Sequence, residues 1–146
     1  MCLYGTEVVA LALGFRHLLL LLEDTSGLKG PAYHVLTSEK DVGRIYGKLV
    51  TKPRVRFESS LLIAAHRGLC PTGGYGIVIE SLRLAGHELL VNMRTIDPAP
   101  EDFVTLIPTY PSDSVALWRG SLGRPGAYEA VFVDGGTKVA VVPFVV

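Results

Sequence analysis

Short apolar runs separated by turn residues recur along the chain and predict a mainly β protein. From about residue 57 onward the runs are divided by glycine, proline and aspartate at the regular spacing typical of a sandwich or a curved antiparallel sheet. An earlier apolar stretch, interrupted by Gly14, has the length of two strands. The predicted strands cover residues 8–13, 15–22, 61–65, 75–82, 88–96, 104–107, 115–118, 127–133 and 138–145.

One segment has the periodicity of a helix instead. Ser38 is a capping residue with an acid, Asp41, three positions later, and an apolar stripe at i, i+3, i+4 and i+7 follows. The stripe consists of Val42, Ile45, Tyr46 and Leu49. The helix must end before Pro53, which cannot continue the hydrogen-bond ladder. We therefore expect a single covering helix at about residues 38–50, with its apolar face on a sheet.

Composition fits one folded domain over residues 1–146. The chain is 49% hydrophobic and 19% charged, and its 16 glycines and 9 prolines are spread in short groups that punctuate the apolar runs. A domain of this size buries roughly 70% of its unfolded surface, so a disulfide, a metal or a cofactor is not needed for stability. The pattern contains no internal repeat and no convincing linker.

Charge and hydropathy restrict the partners. Fourteen basic and fourteen acidic residues cancel, so the chain lacks the overall positive field that attracts nucleic acid. The apolar stretch 8–22 is shorter than the roughly 20 residues that a membrane span needs. It also carries Arg16, whose insertion costs roughly 3 kcal/mol. We expect no nucleic acid partner and no membrane span.

Cysteine usage favours a reducing compartment. Cys2 and Cys70 are too few for the disulfide framework of a small secreted domain. The sequence as written has no visible signal peptide, which favours a cytoplasmic location. The alternative is the cell envelope, if the chain is a processed form, because a mature bacterial lipoprotein carries its lipid on an N-terminal cysteine.

The most informative segment is a glycine-rich turn that leads into a strand. Gly73 and Gly74 permit positive φ angles and leave peptide groups without a neighbouring Cβ, so another backbone can approach closely. Tyr75 then begins the strand. Two interpretations stay open: a structural corner at the sheet edge, and a partner-binding loop formed by Thr72, Gly73, Gly74 and Tyr75. A phosphate site is disfavoured because a strand follows the turn and the turn contains no lysine.

An enzyme is the weaker functional hypothesis. Cys70 could serve as a nucleophile with His66 as its base, but a catalytic thiol needs an oriented base and an electropositive setting. The histidines lack the short spacing of a zinc site and are expected at the surface or on edge strands. They are His17, His34, His66 and His87. We expect no metal, no cofactor and no catalytic activity.

The segment from Arg67 through Thr72-Gly73-Gly74-Tyr75, followed by an alternating strand, resembles the PrcB C-terminal domain family. The proline-containing loop at residues 97–100 and the region from Thr109 into 115–117 extend the likeness to about residues 57–118. The resemblance implies a small β-rich accessory module, not itself a protease, whose best-studied members assist or belong to a bacterial surface protease complex. It implies a protein partner, and a protease is one candidate, with Thr72, Gly73, Gly74 and Tyr75 as contact residues and Gly68 as a turn residue.

A fainter likeness and an assembly hypothesis complete the expectations. The run from Pro71 to Tyr75 is similar to a loop of chagasin-type cysteine protease inhibitors, which are sandwiches that insert loops into an active-site cleft. The resemblance implies an inhibitor as the alternative function. The strand-like ends at residues 8–13 and 139–146 could pair between two copies, because unpaired strand edges associate, so a homodimer is also predicted.

Overall fold

The computed structural model of the chain describes residues 10–18, 28–47 and 55–146. Over these residues the chain forms nine strands, one α-helix (α1) and a 3₁₀ turn at Arg119–Leu122. The strands are β1 (Leu11–Leu13), β2 (Arg16–Leu18), β3 (Ala32–Leu36), β4 (Ser60–His66), β5 (Gly76–Ala85), β6 (Glu88–Ile96), β7 (Ser112–Trp118), β8 (Ala127–Asp134) and β9 (Thr137–Val145). The helix α1 is Glu39–Tyr46.

The strands form two sheets, which confirms the mainly β class. One sheet has five strands in the order β1-β5-β6-β8-β9, and the other has four in the order β2-β7-β4-β3. Neighbouring strands are antiparallel except β6 and β8, which run parallel. That parallel pair departs from the antiparallel meander considered from the sequence. It arises because the chain leaves the five-stranded sheet after β6, forms β7 in the other sheet and returns as β8.

The main core lies between the sheets and follows from the alternation of side chains along each strand. In β4, Leu61, Ile63 and Ala65 point into this core, where they meet residues of β5, β6 and β8 such as Ile79 and Phe132. The intervening β4 residues belong to a second, smaller cluster on the outer face of the four-stranded sheet. Strand β4 is therefore buried on both faces, as its continuous apolar run indicates.

Helix α1 covers that outer face, as the apolar stripe predicted. Ser38 Oγ accepts a hydrogen bond from Asp41 N at 3.3 Å, and Asp41 Oδ2 accepts one from Thr37 N at 2.9 Å. The Thr37 bond, together with Arg44, lowers the pKa of the Asp41 carboxyl. The helix ends at Gly47, whose φ is 67°. The helix, at Glu39–Tyr46, is thus shorter than the predicted 38–50. Residues 48–50 lie outside the described part of the chain.

Several strand predictions need comment. The predicted strand at 104–107 is wrong, because this segment is a loop whose Thr105 carbonyl accepts a hydrogen bond from Gly73 N at 2.9 Å instead of joining a sheet. Strand β3 was not predicted. Residues 8–9 and 19–22 of the N-terminal predictions lie outside the described ranges. Gly135 and Gly136, in the turn between β8 and β9, have φ angles of 57° and 87°. No helix in the described residues is long and apolar enough to cross a membrane.

Candidate functional site

The predicted turn lies at the end of the two sheets where β4 stops and β5 starts. Thr72, Gly73 and Tyr75 are half-buried, and Gly74 is exposed with a φ of 87°. The Thr72 hydroxyl donates to the Gly73 carbonyl at 2.9 Å, which tightens the turn. All four predicted residues are therefore close together at the surface, in the bent conformation that the glycines were expected to adopt.

The close approach that these glycines allow is made by the chain itself. A Cβ on Gly74 would lie 2.7 Å from Val104 Cγ1 and 2.9 Å from Pro98 Cβ, and a Cβ on Gly73 would lie 2.5 Å from Thr105 Oγ1. The loop at residues 97–111, between β6 and β7, therefore rests directly on the turn. These contacts fit the corner interpretation of the two glycines, and because Gly74 is still exposed, the partner-binding interpretation of the turn stays a prediction.

The side chains presented by this second loop are large, apolar and unburied. Phe103 is 106% exposed, Leu106 84% and Ile107 68%. We refer to these three residues as the apolar crest. Leu69 and Ile96, at 45% and 38% exposed, lie on the adjoining segments at the same end of the sheets. The crest was not predicted, because Leu106 and Ile107 were assigned to a strand at 104–107 that did not include Phe103.

Hydrogen bonds hold the loop beneath the crest in place. Cys70 and Thr109 exchange backbone hydrogen bonds of 2.8 and 2.9 Å, and the Thr109 hydroxyl donates to the Thr72 carbonyl at 2.8 Å. Asp102 Oδ2 accepts from Ala99 N at 2.8 Å, closing the first turn of the loop. The crest therefore projects from a loop whose backbone is fixed at both ends.

Arg67 joins the turn to the two neighbouring sheet ends. Its guanidinium donates to the carbonyls of Gly76 and Ile96 and pairs with Asp97. It also lies 5.0 Å from the centre of the Tyr75 ring, a cation–π distance. No role beyond the start of the family-like segment was predicted for Arg67 from the sequence, whereas its contacts position Tyr75 and the start of the crest loop. Gly68, the predicted turn residue, follows with a φ of 99°.

The proposed catalytic pair is not assembled. Cys70 is buried, and its Sγ contacts the Gly68 carbonyl at 3.8 Å. The His66 ring instead contacts α1, with its Nε2 2.7 Å from the hydroxyl of Tyr46. Burial, with a smaller contribution from His34, lowers the pKa of His66 to about 4. The expectation that His66 lies at the surface or on an edge strand is wrong, because it is buried in β4, between β7 and β3.

The electrostatics around the crest are acidic. Residues 97–111 contain Asp97, Glu101 and Asp102 but no lysine, arginine or histidine. Asp97 is paired with Arg67. The other two acids, Glu101 and Asp102, directly precede Phe103 and form no ion pair with a described residue. Among the described residues no group of three or more histidine, cysteine, aspartate or glutamate side chains could hold a metal ion.

Fold and surface together define a two-sheet β domain that presents two interlocked loops at one end. Residues 61–117 match the family model described as PrcB C-terminal. The match runs from β4 into β7 and contains both loops, which confirms the resemblance drawn from the sequence. Searches of curated proteins and of solved structures found no match.

Proposed function

We propose that this protein is a non-enzymatic accessory module of a protein complex, and that it binds a protein partner through the apolar crest and the turn beneath it. The observation that carries the proposal is the combination of full exposure at Phe103 with a loop backbone fixed by hydrogen bonds. Exposed apolar clusters on an ordered loop are typical of protein contact sites.

The energetics of the crest favour binding. Burying a large apolar side chain contributes about 1.5–3 kcal/mol, so Phe103 and Leu106 alone could supply several kcal/mol at an interface. Because their backbone is already ordered by the Cys70–Thr109 bridge, association loses less conformational entropy than it would with a mobile loop. Aromatic anchors of this kind often dominate binding energy.

The acids beside the crest favour a protein over a lipid surface. Anionic membranes attract basic residues, whereas Glu101 and Asp102 stand next to Phe103 and the loop has no basic residue. A partner with an apolar pocket bordered by lysine or arginine fits this pattern. The match of residues 61–117 to the PrcB C-terminal family model supports a component of a protease complex as that partner.

Partner capture with crest variants tests the proposal. The test variant is Phe103→Ser with Leu106→Ser, and the matched control is Val139→Ser with Val145→Ser, which removes exposed apolar side chains from β9 at 41% and 68% exposure. Neither pair of side chains is buried in the fold, so the free energy of unfolding of both variants should lie within about 1 kcal/mol of that of the intact chain.

We expect a partner that the intact chain and the β9 control retain and the crest variant loses. Its affinity, measured with the purified partner, should fall at least tenfold in the crest variant. Equal binding by all three proteins would refute the crest as the contact surface. Binding of the intact chain to vesicles containing anionic lipid, without a protein partner, would point to a membrane surface instead.

A further inference from the structure

Two imidazoles of the four-stranded sheet and a phenol of α1 pack edge to face against one another. His34 of β3 and His66 of β4 lie on the outer face of the four-stranded sheet, and Tyr46 of α1 covers them. The ring centres are 6.0 Å apart for the two histidines, 5.9 Å for His34 and Tyr46, and 5.4 Å for Tyr46 and His66. We call these three residues the imidazole cluster. It adjoins the apolar residues that α1 covers, Leu36, Leu62 and Ala64.

The cluster is built for a neutral His66. The residue is 1% exposed, and its Nδ1 has no hydrogen-bond partner among the described residues. A neutral imidazole accepts the Tyr46 hydroxyl proton at Nε2. Protonation converts Nε2 into a donor, so the phenol would lose its acceptor while a second buried N–H stayed without a partner. Burial also raises the pKa of Tyr46, so the phenol does not supply a negative charge.

The charged groups around the cluster do not compensate an added proton. Burial, with a smaller contribution from Arg44 of α1, lowers the pKa of His34. Asp41 of the same helix is engaged by Thr37 and Arg44. From β7, Ser112 pairs with His66 in the sheet.

The neighbouring acid of β7 is also committed. Asp113 accepts from Ile79 N at 2.7 Å and pairs with His17. A proton on His66 would thus meet a second imidazole, whose own protonation Arg44 disfavours, while Asp41 and Asp113 are engaged elsewhere.

We propose that α1 is an acid-released cover: protonation of His66, assisted by His34, detaches α1 from the four-stranded sheet and uncovers Leu36, Leu62 and Ala64, while the core between the two sheets stays intact. The separation of the two apolar clusters supports local release, because the main core contains no residue of α1. Elements with few core contacts open before the rest of a fold. The proposal does not depend on the crest or on a partner.

Hydrogen exchange on the intact chain tests the cover. The protection factors of α1 and of the β5–β6 hairpin are measured at about pH 7.5 and pH 5 and corrected for the pH dependence of chemical exchange. With His66 near its ordinary pKa when α1 is open and at about 4 when it is closed, the opening constant should rise about 30-fold at pH 5. The β5–β6 hairpin should keep most of its protection, and a dye specific for exposed apolar surface should bind at pH 5 only.

His66→Gln is the informative variant and His17→Gln the control. Glutamine can accept a hydrogen bond from the Tyr46 hydroxyl but does not titrate, so the protection of α1 should become nearly independent of pH. The change at the exposed His17 should leave the 30-fold rise of the opening constant intact. An unchanged response in His66→Gln, or loss of protection in α1 and the hairpin together, overturns the proposal. An NMR titration of the unaltered protein gives a second readout. Protonation of His66 near pH 6.5 with α1 still protected also overturns it, even if the variant fails to fold.

Discussion

Replacing Gly74 by alanine measures how firmly the crest loop rests on the turn. Alanine at this position meets two costs: a φ of 87°, which L residues rarely adopt, and a Cβ placed 2.7 Å from Val104 and 2.9 Å from Pro98. The backbone cost is about 1–2 kcal/mol, and overpacking against neighbouring atoms adds about 1–3 kcal/mol. We expect a total loss of about 3 kcal/mol.

Gly136 provides a matched control because it has the same φ of 87° and no atom within 4 Å of an added Cβ. Gly136→Ala should therefore lose only the backbone cost, about 1 kcal/mol. Urea unfolding of both variants, followed by circular dichroism, gives the two free energies of unfolding. The difference of about 2 kcal/mol is the packing contribution of the crest loop, and it corresponds to about 6 °C in Tm for a chain of this size.

Equal stability of the two variants would refute the packing of Val104 and Pro98 on the turn. A destabilisation by Gly74→Ala that falls towards that of Gly136→Ala when Val104 is also changed to alanine would support it, because residues in contact show coupling energies of about 0.5–3 kcal/mol. Glycine variants are poor probes of binding for the same reason. They disturb the seat of the loop, whereas the crest side chains can be removed without touching it.

Other predictions concern Arg67, the buried His66 and the single tryptophan, Trp118. Arg67→Lys keeps the charge but cannot bridge two carbonyls and cover Tyr75, so the free energy of unfolding in urea should fall by about 1–2 kcal/mol. Because burial lowers the pKa of His66 to about 4, folding favours its neutral form. Stability should be full above about pH 6.5 and decline towards pH 4, by up to about 3 kcal/mol, and a urea midpoint that does not change between pH 7 and pH 4.5 would contradict this. Gly120→Ala places a Cβ 2.5 Å from the Trp118 ring; since that ring is 64% exposed, its fluorescence should shift while stability changes by less than about 1 kcal/mol.

Local patterns were sufficient to predict much of the fold. The strands β5, β6, β8 and β9 and the helix α1 follow from apolar periodicity and turn residues, which are properties of neighbouring positions. The failure at 104–107 has a definite cause. The apolar run 104–107 has the length of a strand, but Leu106 and Ile107 are exposed and Val104 packs on Gly74 instead of a sheet. Sequence periodicity does not distinguish these two environments.

The site was predictable only in its local part. The positive φ of Gly74 and the bend before Tyr75 follow from the residue types. The role of Arg67 does not, because its partners Ile96 and Asp97 are 29 and 30 positions away in the sequence. The predicted pairing of chain ends between copies stays a prediction. Strands β1 and β9 are the two edges of the five-stranded sheet, but Pro143 lacks an N–H and weakens β9 as an edge for pairing.

The crest differs from the residues beneath it in what it contributes to the stability of the fold. Thr105, Thr109 and the turn glycines make contacts within the fold, so their replacement costs stability whatever the protein binds. Phe103 contributes almost no burial to the folded state, since its side chain is fully exposed. Folding therefore gives no reason for an aromatic residue at that position, and exposure of apolar surface makes one unfavourable in water. An interface that buries the ring would remove this cost, so the crest is the part of the proposed contact surface that the fold itself does not explain.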